Sequence, residues 1–125
     1  MDVNVASGQV VDAAMKVHSV LGPGLLESAY EACLAYELRK RNIVFKAQWE
    51  LPVIYDGVRI DVGYRLDLLV EDLVIVELKS VEQIVPIHKA QLLSYLKLSG
   101  RKVGLLLNFN VLHMKDGITR LVNNL

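Results

Sequence analysis

Apolar and polar positions change their period several times along the chain, and each change marks a predicted element. From Asn4 to Leu21 the inward positions fall at Val10, Val11, Ala14, Val17, His18 and Leu21, a helical spacing with one face turned to a core. Gly22-Pro23-Gly24 breaks that helix. A second helix is predicted from about Leu25 to Arg41, with Leu26, Ala29, Tyr30, Cys33 and Leu34 inward and Asn42 as its stop. The period then falls to two: Ile43, Phe45, Ala47, Trp49, Leu51, Val53 and Tyr55 alternate with Lys46, Gln48 and Glu50, as a half-buried strand requires. Asp56-Gly57 is a hairpin-turn pair. Beyond it Val58, Ile60, Val62, Tyr64, Leu66 and Leu68 form one face of a strand, and Arg59, Asp61, Gly63, Arg65 and Asp67 form the other. Leu73 to Lys79 is apolar on both faces until its end and reads as a central strand. Pro86 suits the first turn of a third helix that runs to Ser99 and stops at Gly100. Arg101–Asn108 is another apolar strand, and Lys115-Asp116-Gly117 turns into a last short strand, Ile118–Val122. The order ααβββαββ, without linker or repeat, predicts a single α+β (mixed α/β) domain over residues 1–125.

Composition narrows the picture. The chain has 125 residues, 53% of them hydrophobic, and a mean hydropathy of +0.34, which points to elements buried on more than one face. No apolar run approaches the roughly 18 residues of a membrane span. The opening Met1-Asp2-Val3-Asn4 lacks the basic and apolar regions of a secretion signal, and the single cysteine, Cys33, has no internal disulfide partner, so a cytoplasmic protein is expected. Fourteen basic residues balance fourteen acidic ones. Strong autonomous nucleic-acid binders are usually basic, because phosphate neutralisation supplies most of their affinity. The balance still permits an enzyme that gathers acids around a metal. Arg39-Lys40-Arg41 and Arg101-Lys102 are the only basic clusters, and both sit at ordinary element ends.

The chemistry is carried by Glu77-Leu78-Lys79, where residues two apart on a strand project a carboxylate and an ammonium together. Asp67 lies on the preceding strand. A hairpin about Glu71-Asp72 brings it near Glu77 only on one condition: a two-residue loop would pair Asp67 with Val76, so a shared site demands an odd-length loop or a bulge. An uncompensated buried charge costs several kcal/mol. Lys79 balances one acid, and a divalent cation resolves the excess that remains if Glu27 joins. Mg²⁺ suits one or two carboxylates completed by water and phosphate oxygens.

Tyr64-Arg-Leu-Asp67 followed by Glu77-Leu-Lys79 resembles the PD-(D/E)xK nuclease motif, with leucine where the motif name has proline. Gly24-Leu-Leu-Glu27-Ser-Ala-Tyr30 is similar to the signature of the GxxExxY proteins, a bacterial and archaeal family assigned to that superfamily. The similarity continues through His88-Lys-Ala-Gln91-Leu-Leu-Ser-Tyr95 and Gly104-Leu-Leu-Leu-Asn108-Phe-Asn110. The resemblance implies a restriction-endonuclease-like core, a mixed sheet flanked by helices, and Mg²⁺- or Mn²⁺-dependent hydrolysis of DNA or RNA. It implies Asp67 and Glu77 as metal ligands, Glu27 as a third acid of the site and Lys79 as the catalytic lysine. Gln91 and Tyr95 match the QxxxY element of RecB-like nucleases. His88, Gln91 and Tyr95 share one helix face at i, i+3 and i+7. Tyr30, one turn beyond Glu27, is expected to buttress it.

Blander readings stand beside these. Glu27 complements a helix dipole at N3 if Gly24 is the N-cap. Glu77 and Lys79 can form a surface ion pair worth under about 1 kcal/mol. His18 and His113 have no ligand-spaced partner and read as structural, and Cys33 as core. Two rival functions follow: a binding or regulatory module that keeps a nuclease core without turnover, and a structural subunit that hides apolar surface in a homodimer.

Overall fold

Helical phase, capping and turn chemistry place the helices close to where the periodicity predicts them. In the computed structural model, which describes residues 1–125, helix α1 spans Val3–Leu21. Asp2 caps it by accepting from the Val5 amide at 2.9 Å, and Gly22 ends it at φ 68°. Helix α2 spans Glu27–Lys40 with Leu26 as a non-bonding N-cap, so Glu27 opens the helix and is not the N3 partner of a Gly24 cap. Leu26, expected inward, is 76% exposed as a result. Helix α3, Pro86–Ser99, starts on proline and stops at Gly100 in the left-handed conformation.

Five strands, β1 (Phe45–Tyr55), β2 (Val58–Val70), β3 (Val74–Lys79), β4 (Val103–Asn108) and β5 (Ile118–Val122), form one sheet in the order β1-β2-β3-β4-β5. The β3–α3–β4 crossover makes β3 and β4 parallel, and every other pairing is antiparallel. The fold is therefore α+β with a mixed sheet, in the predicted element order.

Both faces of the sheet are covered. Helices α1 and α2 pack Val10, Ala14, Tyr30 and Leu34 against Leu68, Val76 and Leu105 on one side. Helix α3 packs Leu92, Tyr95 and Leu96 against Leu66, Leu69, Ile75 and Leu106 on the other. Double coverage explains why β3 and β4 are apolar at nearly every position. Leu92 fills the space over Gly104, where an added Cβ would meet its Cδ1 at 2.9 Å.

The β1–β2 hairpin departs from simple alternation. Its turn pairs Tyr55 with Val58, but Leu51 pairs with Tyr64, so β2 carries two extra residues opposite Pro52. Gly63 takes up the distortion at φ 79°, and proline, which offers no amide to a ladder, lies opposite. The distal ribbon extends beyond the helices, and Val58 to Arg65 are exposed on both faces, against the expectation of one buried face.

Candidate active site at a fork between two strands

The loop that joins β2 to β3 has three residues, Glu71, Asp72 and Leu73, the first two at positive φ. Leu68 pairs with Val76, Leu69 with Ile75 and Val70 with Val74, which sets Asp67 opposite Glu77. This is the odd-length loop that a shared site demands. The backbone ladder stops there, and the strands fork: the outer half of β2 continues only with β1, and the end of β3 only with β4.

The two carboxylates fill the broken ladder. The Asp67 amide donates to Glu77 Oε1 at 3.3 Å, and the Leu78 amide donates to Asp67 Oδ2 at 2.8 Å. A local break in the pleat accompanies the fork, since Leu66 joins the α3-side core while Leu68 joins the α1/α2-side core. Opposite Asp67, Gln48 drops out of the β1–β2 register at φ 51°. Its Nε2 donates to Glu31 Oε1 at 2.8 Å and reaches Asp67 Oδ1 at 3.4 Å, bridging two acids.

A cavity of about 190 Å³ opens over this bridge, lined by Glu27, Ser28, Glu31, Gln48, Asp67 and Leu78. Glu27 and Asp67 thus share one cavity, and no lysine or arginine lines it. Burial holds the Glu31 carboxyl above its ordinary range, with the charges of Asp67 and Glu27 adding to the effect against the Gln48 hydrogen bond. Glu77 is only 7% exposed, and its carboxyl is pushed up to about 9, first by burial and then by the adjacent Asp67 charge; Lys79 pulls weakly the other way. Glu77 is therefore protonated at neutral pH in the metal-free protein.

Lys79 ends β3 next to the acids, half-buried, and makes no ion pair within 4.0 Å. Tyr95, buried on α3, lies close enough to Glu77 and Asp67 for their charges to help burial raise its hydroxyl pKa. Its ring meets that of Tyr64 on β2, with centroids 5.9 Å apart.

The remaining expected residues serve elsewhere. Tyr30 is fully buried and stacked on Phe109 at 4.5 Å, and its hydroxyl donates to the Gly22 carbonyl at 2.6 Å and accepts from the Leu25 amide at 3.1 Å. It clasps the loop that delivers Glu27 and does not enter the cavity. His88 Nδ1 accepts from the Val85 amide at 3.1 Å, capping α3. Gln91 is exposed, and its side chain hydrogen-bonds to no other residue. The two basic clusters are engaged in structure: Arg41 pairs with Asp12 at 2.7 Å, and Arg101 with Asp72 at 2.6 Å. His18 Nε2 bonds the Val111 carbonyl at 2.7 Å, and Cys33 is half-buried against the core.

Sequence reasoning missed Glu31, Gln48, Ser28 and Tyr64. Glu31 was detectable, because it follows Glu27 by four and shares its helix face. Gln48 was not: the Asp56-Gly57 turn alone pairs it with Arg65, and only the Gly63 bulge moves it opposite Asp67.

No three His, Cys, Asp or Glu side chains converge closely enough to form a complete metal cage. The donor chemistry still fits a hard divalent cation, which takes one or two carboxylates and completes its shell with water and phosphate oxygens. Asp67 and Glu77 meet at the fork, the Asp67 amide donating to Glu77 Oε1 and the Leu78 amide to Asp67 Oδ2, so two carboxylates lie side by side where such a cation could take them. No helix is long and apolar enough to cross a membrane. A family model described as the PD-(D/E)XK nuclease superfamily matches residues 4–121. Neither a curated protein nor a solved structure matches the chain.

Proposed function

The chain belongs to the PD-(D/E)XK nuclease superfamily, its mixed sheet and element order agree with a restriction-endonuclease-like fold, and we propose that it hydrolyses phosphodiester bonds in nucleic acid at the β2–β3 fork. The observation that carries this reading is the direct juxtaposition of Asp67 and Glu77 where the ladder opens, with the unpaired Lys79 beside them. Asp67 and Glu77 would hold Mg²⁺ or Mn²⁺, and Glu27 and Glu31 add negative charge from α2. When bound, the cation supplies an acidified water and charge stabilisation at the phosphate. Gln48 holds the Asp67 carboxylate in place, and Lys79 is free to donate to a phosphate oxygen or to the attacking water. The match of Gly24, Glu27 and Tyr30 to the GxxExxY signature supports that narrower family and, with it, a cytoplasmic prokaryotic setting.

Titration of Mg²⁺ and Mn²⁺ followed by calorimetry tests the site. The expected result is binding that disappears in the Asp67→Ala, Glu77→Ala double variant. No binding at millimolar metal, or binding that survives the double variant, would sink the assignment. Cleavage of single-stranded, duplex and branched DNA and RNA should fall by at least about 100-fold in Lys79→Ala, as loss of a positioned proton-transfer group requires. Equal cleavage by both proteins would remove Lys79 from the chemistry.

A second reading, a nuclease-fold binding or regulatory module, draws on the neutral charge and the incomplete metal cage. In that reading metal binds and Lys79→Ala changes nothing. The exposed apolar ribbon, with Tyr55 71% and Val58 58% exposed, supports a homodimer, which light scattering reads directly.

A further inference from the structure

The fork has two prongs, and they differ in chemistry. One is the end of β3, with Lys79 two residues past Glu77. The other is the outer half of β2, with Tyr64 three residues before Asp67. Tyr64 is 44% exposed, although its ring leans on Tyr95, which is 7% exposed and borders the two acids. The acids thus have an ammonium on one side and a half-open aromatic face on the other.

Charge near the fork is not arranged to track a duplex. Arg65 on the Tyr64 prong pairs with Glu50 at 3.8 Å, Arg59 farther out pairs with Asp61 at 3.1 Å, and Arg101 is held by Asp72 at 2.6 Å. These three guanidiniums already face carboxylates and the whole chain carries zero net charge, so the arginines on this side offer phosphates less than their number suggests. A base stacked on an aromatic ring is a further source of affinity that this surface offers. A duplex hides its base faces, whereas a single strand or a frayed end presents them.

We infer that Tyr64, seated on Tyr95 beside the acids, is a stacking platform for an unpaired base next to the scissile phosphate, so that the site takes single-stranded nucleic acid in preference to intact duplex. The inference rests on the nuclease reading of the fork. Tyr64 is here a substrate-binding residue; the reacting atoms lie beyond it, between Asp67, Glu77 and Lys79.

Fluorescence anisotropy tests the platform, using a short labelled oligonucleotide as DNA or RNA, free or annealed to its complement, in Mg²⁺ and checked by gel to be intact. Tyr64→Leu, which keeps apolar bulk without a π face, should weaken single-strand binding about tenfold. Tyr64→Phe should stay within about twofold, since stacking does not need the hydroxyl. An abasic site in the strand should weaken wild-type binding to a similar extent, and duplex binding should not respond to either variant. The salt dependence should be shallow, a logarithmic slope of about −0.7 to −1.4, which corresponds to one or two phosphates. Tight single-strand binding that Tyr64→Leu leaves unchanged, a loss shared equally with duplex, or preferential binding of duplex by the wild type would overturn the inference and leave the nuclease reading standing. The expected Tyr64 series with Lys79→Ala cleaving normally would do the reverse. A wild type that binds no oligonucleotide removes both.

Discussion

Burial, and then the neighbouring Asp67 charge, push the Glu77 carboxyl up to about 9, and a shift of that direction has a measurable thermodynamic consequence. Its ordinary value is 4.5, so between these limits the folded protein holds a proton that the unfolded chain has already lost. The stability tied to Glu77 is complete below pH 4.5 and declines as pH rises toward 9. Glu77→Gln, a neutral isostere, lacks that slope. In EDTA its melting temperature should gain on the wild type steadily from neutral pH to pH 9, by thermal denaturation followed by circular dichroism. A constant difference across that range would mean that Glu77 is ionised in the fold. Gln48 gives a second residue-scale prediction. Gln48→Ala leaves Glu31 and Asp67 without their shared donor, so metal affinity should fall several-fold while the melting temperature moves little at this exposed position. Calorimetry on both proteins decides, and unchanged affinity would reduce the bridge to surface decoration.

The elements decide whether these residues meet. Tyr30 binds both Gly22 and Leu25 through one hydroxyl, fixing the connection from which α2 starts and hence the position of Glu27. Tyr30→Phe should cost about 0.5–1.5 kcal/mol, because the part-buried Gly22 carbonyl and Leu25 amide lose their shared partner but can turn to water. Denaturant titration gives the cost, and hydrogen exchange should show the Leu25 amide exposed early. Retained protection at Leu25 would mean that the loop is held by packing alone. The β2–β3 loop is the other decisive element. The sequence stated the parity condition for Asp67 and Glu77 to meet, and loop length resolves it, since three residues at Glu71–Leu73 set the register. Gly63 acts in the same way on β1, shifting Gln48 from Arg65 to Asp67. Both steps are small changes in register with chemical results, which is how strand pairing turns one residue of length into a different face.

At the scale of the whole molecule, the sheet is shared by two apolar layers, and damage to either should be felt by both. Val76→Ala on the α1/α2 side and Gly104→Ala under Leu92 on the α3 side attack different layers. The first should cost roughly 1–3 kcal/mol as a cavity and the second a similar amount as overpacking. In urea each should shift one common transition seen by both Trp49 fluorescence and circular dichroism. Two separated transitions would show that the layers unfold independently. The α-helices, the central strands and the capping residues were legible in the sequence because they depend on local period and local turn chemistry, which neighbours in the chain specify. The sequence marked Glu77 and Lys79 as charges that end an apolar strand and Asp67 as an acid on the polar face of its neighbour, and the structure sets Asp67 opposite Glu77. The sequence could not place Gln48 and Tyr64, show that Glu77, Lys79, Gln91 and His88 all lie outside the cavity that Glu27 and Asp67 line, or expose the outer hairpin. Those outcomes depend on bulges, loop parity and the reach of helices across the sheet. The amino-acid order by itself thus determined which elements form and which residues carry charge. Only the tertiary structure decided which of them share a site, because register and burial are set by contacts between segments far apart in the chain.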